Sequence, residues 1–97
     1  MKLGIVTGTV VSTVKQEALH GLKLLVVQEA TVKGEAFGNN FNVAVDAVGA
    51  GLGDIVLTVA GSSARLTDMT QEKPVDAVIV GIVDYVETGR ELTYRKH

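Results

Sequence analysis

Along this chain apolar side chains recur mostly at every second position, in short runs broken by glycine and asparagine, and that alternation predicts β-strands. Lys2 to Val14 is rich in Val and Thr and is punctuated by Gly4 and Gly8, which read as bends in one long strand. Leu22 to Val32 alternates, with Leu22, Leu24, Val26, Ala30 and Val32 on one face and Lys23, Glu29, Thr31 and Lys33 on the other. Phe41 to Val48, Ile55 to Ala60 and Ala77 to Glu87 complete five strands, and Leu92 to Tyr94 adds a short sixth. Gly34 to Asn40 has turn chemistry without periodicity and reads as an exposed loop. Residues 15–21 read as another loop. Ser62 to Met69 is the best helix candidate, about two turns long, with Ser62 or Ser63 as the N-cap whose oxygen accepts from free N–H groups of the first turn.

Short, strongly bent strands with one small helix predict an all-β chain, a small five-stranded OB-like β-barrel, because closure removes exposed edges. The first and fifth strands are apolar on both faces. In Ala77 to Val86, Ala77, Ile79, Gly81, Val83 and Tyr85 alternate with Val78, Val80, Ile82, Asp84 and Val86. One set fills the barrel, and the other needs a cover from a helix, a loop or a second chain. With so little helix available, a neighbouring subunit is the expected cover.

The stretch Val43 to Arg65 carries the most specific signal. A β-type run ends at Asp46-Ala47-Val48, a corner with alternating Gly49, Gly51 and Gly53 comes next, and a second β-type run leads to Gly61. Glycine at those positions permits positive φ or close approach of another backbone. A phosphate cradle requires a helix after such a corner, whereas Ile55 to Val59 is β-branched and apolar. The third glycine of a dinucleotide fingerprint is replaced by Asp54. A nucleotide cradle is thereby excluded.

Other chemistry is sparse. His20 and His97 are the only histidines, too far apart in sequence for an i,i+4 metal pair. Ser62 and Ser63 follow Gly61, but a nucleophile elbow needs a glycine where Arg65 stands. Asp46 and Asp84 lie in strand-like runs; acceptance of loop N–H groups outweighs a catalytic carboxylate pair there. Arg65 has the planar donor fork that suits carbonyls or a carboxylate at an interface, or else it is a solvated helix residue. No catalytic, cofactor-binding or metal-binding residues emerge, and neither an enzyme nor a cofactor is expected.

Composition changes the picture in one respect. Of the 97 residues 46% are hydrophobic, high for a small soluble monomer, yet no run is long enough to span a bilayer. No signal-peptide segment opens the chain. The surplus apolar surface points to subunit contacts. Zero cysteines exclude disulfides and thiolate metal sites and fit a reducing cytoplasm. Nine basic and eleven acidic residues give a net charge of −2, which recruits neither nucleic acid nor an anionic membrane. OB-like barrels that bind single-stranded nucleic acid present aromatic platforms in a basic groove. This alternative is disfavoured by only four aromatics, Phe37, Phe41, Tyr85 and Tyr94, and by scattered Lys and Arg residues.

Met1-Lys2-Leu3-Gly4-Ile5-Val6-Thr7-Gly8, Lys23-Leu24-Leu25-Val26-Val27, the Asp46-to-Asp54 corner, Gly61-Ser62-Ser63-Ala64-Arg65 and Val75-Asp76 through Gly81-Ile82-Val83-Asp84 occur in that order. Together they resemble the bacterial microcompartment vertex family, the EutN/CcmL family, nearly end to end. The opening and the stretch after Gly89 look closer to its ethanolamine-utilisation branch. The resemblance implies one domain over residues 1–97, a pentameric ring with a narrow axial opening, and hexameric shell proteins as partners. It further implies a place in a microcompartment shell in the bacterial cytoplasm. Gly49, Gly51, Gly53, Ser62, Ser63 and Arg65 are then the expected contacts between subunits or near the axis.

Overall fold

The computed structural model describes residues 1–11, 21–60 and 77–97. Five strands form a closed barrel: β1 (Lys2–Thr9), β2 (Leu24–Ala30), β3 (Ala36–Asp46), β4 (Ile55–Ala60) and β5 (Ala77–Ile82), in the order β1-β2-β3-β5-β4. All neighbours run antiparallel except β3 and β5, which are parallel at Val45–Val78 and Asp46–Ile79. A separate hairpin comes after them, β6 (Tyr85–Thr88) with β7 (Glu91–Arg95). The Ser62–Met69 helix expectation, His20, Ser62, Ser63 and Arg65 fall outside the described residues, as do 15–20 of the first expected loop.

Each barrel strand sends apolar residues inward. Val6 of β1, Leu25 and Val27 of β2, Ala44 of β3, Val56 of β4 and Ile79 of β5 make one buried cluster, joined by Ala50 from the glycine corner. The β2 face that fills the barrel is therefore the one that begins with Lys23 and ends with Glu29. Its central pair, Leu25 and Val27, outweighs the charges at its ends. The alternation of Leu22, Leu24 and Val26 against Lys23 and Glu29 is real, but the apolar-looking set points outward. There Leu22 and Leu24 pack on a second, smaller cluster of Val45 and Val78, with Val59 and Val80. β5 is thus buried on both faces, as its sequence predicts, but the cover over Val78 comes from the same chain and not from a neighbour.

Several boundaries differ from the sequence pattern: β1 ends at Thr9 and not at Val14, β2 is trimmed to Leu24–Ala30, and β3 ends at Asp46, where its side chain gathers the next turn, and not at Val48. The turn between β2 and β3 spans only Thr31 to Glu35, closed by Thr31 N–H to the Glu35 carbonyl at 2.8 Å and Gly34 N–H to the Thr31 carbonyl at 2.9 Å. Ala36 to Asn40, expected as loop, already belongs to β3. Turn-forming residues are tolerated there because the register shifts between Gln28 and Ala30, giving β3 extra residues, and Gly38 takes φ +61° within that irregularity. Gln28 Nε2 donates to the Gly38 carbonyl at 2.9 Å and Asn40 Nδ2 to Glu29 at 3.1 Å. The expected Ala77–Glu87 strand breaks at Val83–Asp84, where Val83 N–H donates back to the Ile55 carbonyl at 2.8 Å. The short terminal strand is the returning arm of the β6–β7 hairpin. Its Thr93 hydroxyl donates to the Val32 carbonyl at 2.7 Å.

Of the two glycines in β1, Gly4 is required by space. A Cβ there runs into the Val27 side chain. At Gly8 a Cβ meets Val26 only at 3.9 Å, an ordinary contact. The bend in β1 lies between Val6 and Gly8, where the register with β2 shifts.

Candidate functional site

Asp46 ends β3 because its side chain gathers the next turn of chain around itself. Its Oδ1 accepts from Val48, Gly49 and Ala50 N–H at 3.0, 3.0 and 3.1 Å. Lys23 brings its Nζ to 3.6 Å from Oδ2 and donates to the Ala50 carbonyl at 3.1 Å. Asp46 is only 6% exposed. Burial raises its pKa, but the three backbone N–H groups and the Lys23 ammonium outweigh it, and the carboxyl sits below its ordinary value. The carboxylate therefore stays ionised, and with its oxygens engaged by the loop and the ammonium it is unsuited to general-base work. Asp84 lies exposed at the β5–β6 break, where its backbone carbonyl accepts from Lys96 N–H at 2.7 Å. The arrangement around Asp46 is that of a loop anchor, as the sequence favoured.

From there the corner crosses the barrel end. Ala50 is buried in the core, while Gly49, Gly51, Leu52 and Gly53 face out. A second carboxylate closes the turn: Gly51 N–H donates to Asp54 Oδ2 at 2.8 Å, and Asp54 N–H returns to the Gly51 carbonyl at 3.1 Å. Gly53 N–H donates to the Val6 carbonyl at 2.9 Å and Val6 N–H to the Asp54 carbonyl at 3.0 Å, so the corner is stitched to β1. Gly49 and Gly53 have φ of +81° and +87° and are needed for the turn itself. Gly51 has no positive φ, and a Cβ there meets only Asp54 Oδ2, at 3.8 Å. Nothing among the described residues requires Gly51 to be glycine.

The structure thus unites Gly49, Gly51 and Gly53 in one hydrogen-bonded, outward-facing loop. Sequence reasoning missed Lys23, which joins a loop 27 positions away from it in the chain. It also missed Asp54, whose side chain reaches back to the Gly51 N–H three residues earlier in the chain.

A small closed β-barrel whose end is sealed by a carboxylate-anchored glycine loop is the class of protein defined by these features. The chain belongs to the EutN/CcmL family: the model described as "Ethanolamine utilisation protein EutN/carboxysome" matches residues 1–84. It is 53% identical over 88 residues to the bacterial microcompartment shell vertex protein GrpN of Rhodospirillum rubrum, covering 91% of this chain and 98% of that protein. The solved structure of the GrpN pentameric microcompartment shell protein superposes with a TM-score of 0.79 at 55% identity, covering 91% of this chain and all of that one. The shell vertex protein EutN of Salmonella typhimurium is 43% identical over 96 residues, 99% of this chain and 96% of that protein. The structure of CcmL from Gloeobacter violaceus superposes with a TM-score of 0.92 at 41% identity over 99% of this chain and 98% of that one. Identities to the ethanolamine-utilisation and carboxysome relatives are thus nearly equal and place the chain in the family without separating those two branches.

Proposed function

We propose that this chain is a shell vertex subunit of a bacterial microcompartment, acting as a homopentamer in the protein shell within the bacterial cytoplasm. The observation that carries this is similarity along nine-tenths of the chain to a pentameric shell protein at 55% identity. Its role is structural and not enzymatic. Residues 1–97 act as one domain, with hexameric shell proteins as partners and neither nucleic acid nor membrane bound. A C5 ring uses a heterologous contact, one patch of each subunit meeting a different patch of the next. Flat sheets of sixfold tiles close only where fivefold units are inserted.

Within that ring the Gly49–Gly53 corner lies at a subunit contact or near the axis, with Ser62, Ser63 and Arg65 as further contacts. Gly51 supports this, since the described residues of the subunit give no reason for a glycine there. The test is native mass spectrometry, which is expected to find five copies of the 10.2 kDa chain. Gly51→Val is expected to shift that population toward smaller species while circular dichroism retains the β signature. A monomeric parent protein at micromolar concentration refutes the assembly, and a fully pentameric variant refutes the placement of Gly51.

A further inference from the structure

The outer face of β3 changes character along its length. Val45, Val43 and Phe41 lie on that one face, because the ladder with β2 is regular from Leu24–Val45 to Gln28–Phe41. Val45 is 2% exposed within the second cluster, whereas Val43 is 51% and Phe41 52% exposed. A continuous apolar stripe therefore begins under cover and runs out into the open.

A second apolar projection lies across the molecule. Leu52 is 77% exposed at the tip of the corner, flanked by Gly51 and Gly53. In the closed order β1-β2-β3-β5-β4, β3 neighbours neither β1 nor β4. The corner leaves β3, crosses the barrel end with Ala50 in the core, and is fixed at Gly53 and Asp54 to Val6 of β1. Leu52 thus sits over the β1–β4 wall, while Val43 and Phe41 look outward from the opposite wall.

From this arrangement we infer that Leu52 of one subunit packs on the Phe41–Val43 stripe of the next copy around the ring. A head-to-tail ring needs two unlike patches on opposite flanks of every subunit, and these two apolar sites are so placed. A second copy is the occupant because each site lies on the rigid barrel that this chain shares with a pentameric relative at 55% identity. The bare flanks Gly51 and Gly53 let the tip approach a β-sheet face closely. This pairing rests on the reading of the chain as a ring subunit and specifies which surfaces that ring uses.

The natural chain has no cysteine, so thiol pairs report contacts cleanly. The experiment uses the full chain carrying Phe41→Cys with Leu52→Cys, and each single variant, under mild oxidation and in parallel with a short bismaleimide. Both positions are solvent-exposed in the subunit, so neither substitution disturbs the core. The double variant is expected to give a ladder of covalently linked chains ending at five, and the single variants none. Efficient dimers from either single variant overturn the pairing, because that patch then meets itself. So does a double variant without a ladder in a preparation that native mass spectrometry finds pentameric, which leaves the ring intact and only the contact refuted. A monomeric parent protein removes the ring and the contact together. As a second readout, Phe41→Ser is expected to raise the subunit concentration at which the ring dissociates by about tenfold, the equivalent of burying part of a phenylalanine ring. An unchanged dissociation midpoint counts against the stripe.

Discussion

Among the described residues Asp46 does the most, because one buried carboxylate holds three successive N–H groups and one ammonium. Removing it strands the buried Ala50 N–H and takes the acceptor from the part-buried Val48 and Gly49 N–H groups. Asp46→Ala is expected to cost about 2–4 kcal/mol of stability by urea unfolding at neutral pH and fixed subunit concentration. Asp46→Asn keeps an acceptor oxygen and is expected to cost less. The folded carboxyl titrates below its ordinary value, so its stabilisation is complete above about pH 4 and is lost as pH falls through the folded value. The urea midpoint of the parent protein is therefore expected to drop on acidification through that window, and that of Asp46→Asn to drop less. Parallel acid limbs for the two proteins count against this account. Asp46 was legible in the sequence as an acceptor for loop N–H groups, from its place just before three alternating glycines. Lys23 was not, since only barrel closure brings it to the corner.

At the level of elements, the two glycines of β1 separate a steric need from a mere bend. Gly4→Ala places a methyl against Val27 inside a packed barrel and is expected to destabilise by about 1–3 kcal/mol. Gly8→Ala makes only ordinary contact with Val26 and is expected to stay within about 0.5 kcal/mol of the parent protein. Thermal or urea unfolding at matched concentration checks the pair, and equal losses at both sites refute the distinction. The strand content was readable because alternation and β-branching act locally. Which face of β2 turns inward was not, since both faces are apolar at its centre and only the closed sheet decides between Leu24 and Leu25. The early start of β3 was hidden by Gly38, Asn39 and Asn40, turn formers that a strand irregularity accommodates. The break at Val83–Asp84 had no breaker residue to announce it, and Val83 N–H there still bonds to the Ile55 carbonyl of β4.

For the whole molecule, the closed barrel was legible in the bent β-runs, and the family in motifs spread nearly end to end. For the contact surfaces the sequence offers candidates only. A ring interface is a relation between two copies, and one chain's pattern shows surplus apolar surface without showing where a second chain lies. The vertex role carries a consequence in the host: a shell lacking this protein is expected to form but remain unsealed. Electron microscopy of a deletion strain is expected to show elongated or open compartments, with the encapsulated enzymes still active in lysate. Normal sealed shells together with the loss of one enzymatic step would instead refute the structural role.

The corner that Asp46 and Lys23 hold is complete within a single subunit. Gly49, Gly51 and Gly53, which as free chain would be the most entropically costly residues to immobilise, are already fixed before any partner arrives. Association then has little backbone disorder left to quench at this loop, and its affinity is spared that loss. On the proposed contact, newly made subunits meet as finished parts, so how fast rings appear is expected to depend on how often subunits collide in the right orientation and not on a slow folding step at that loop.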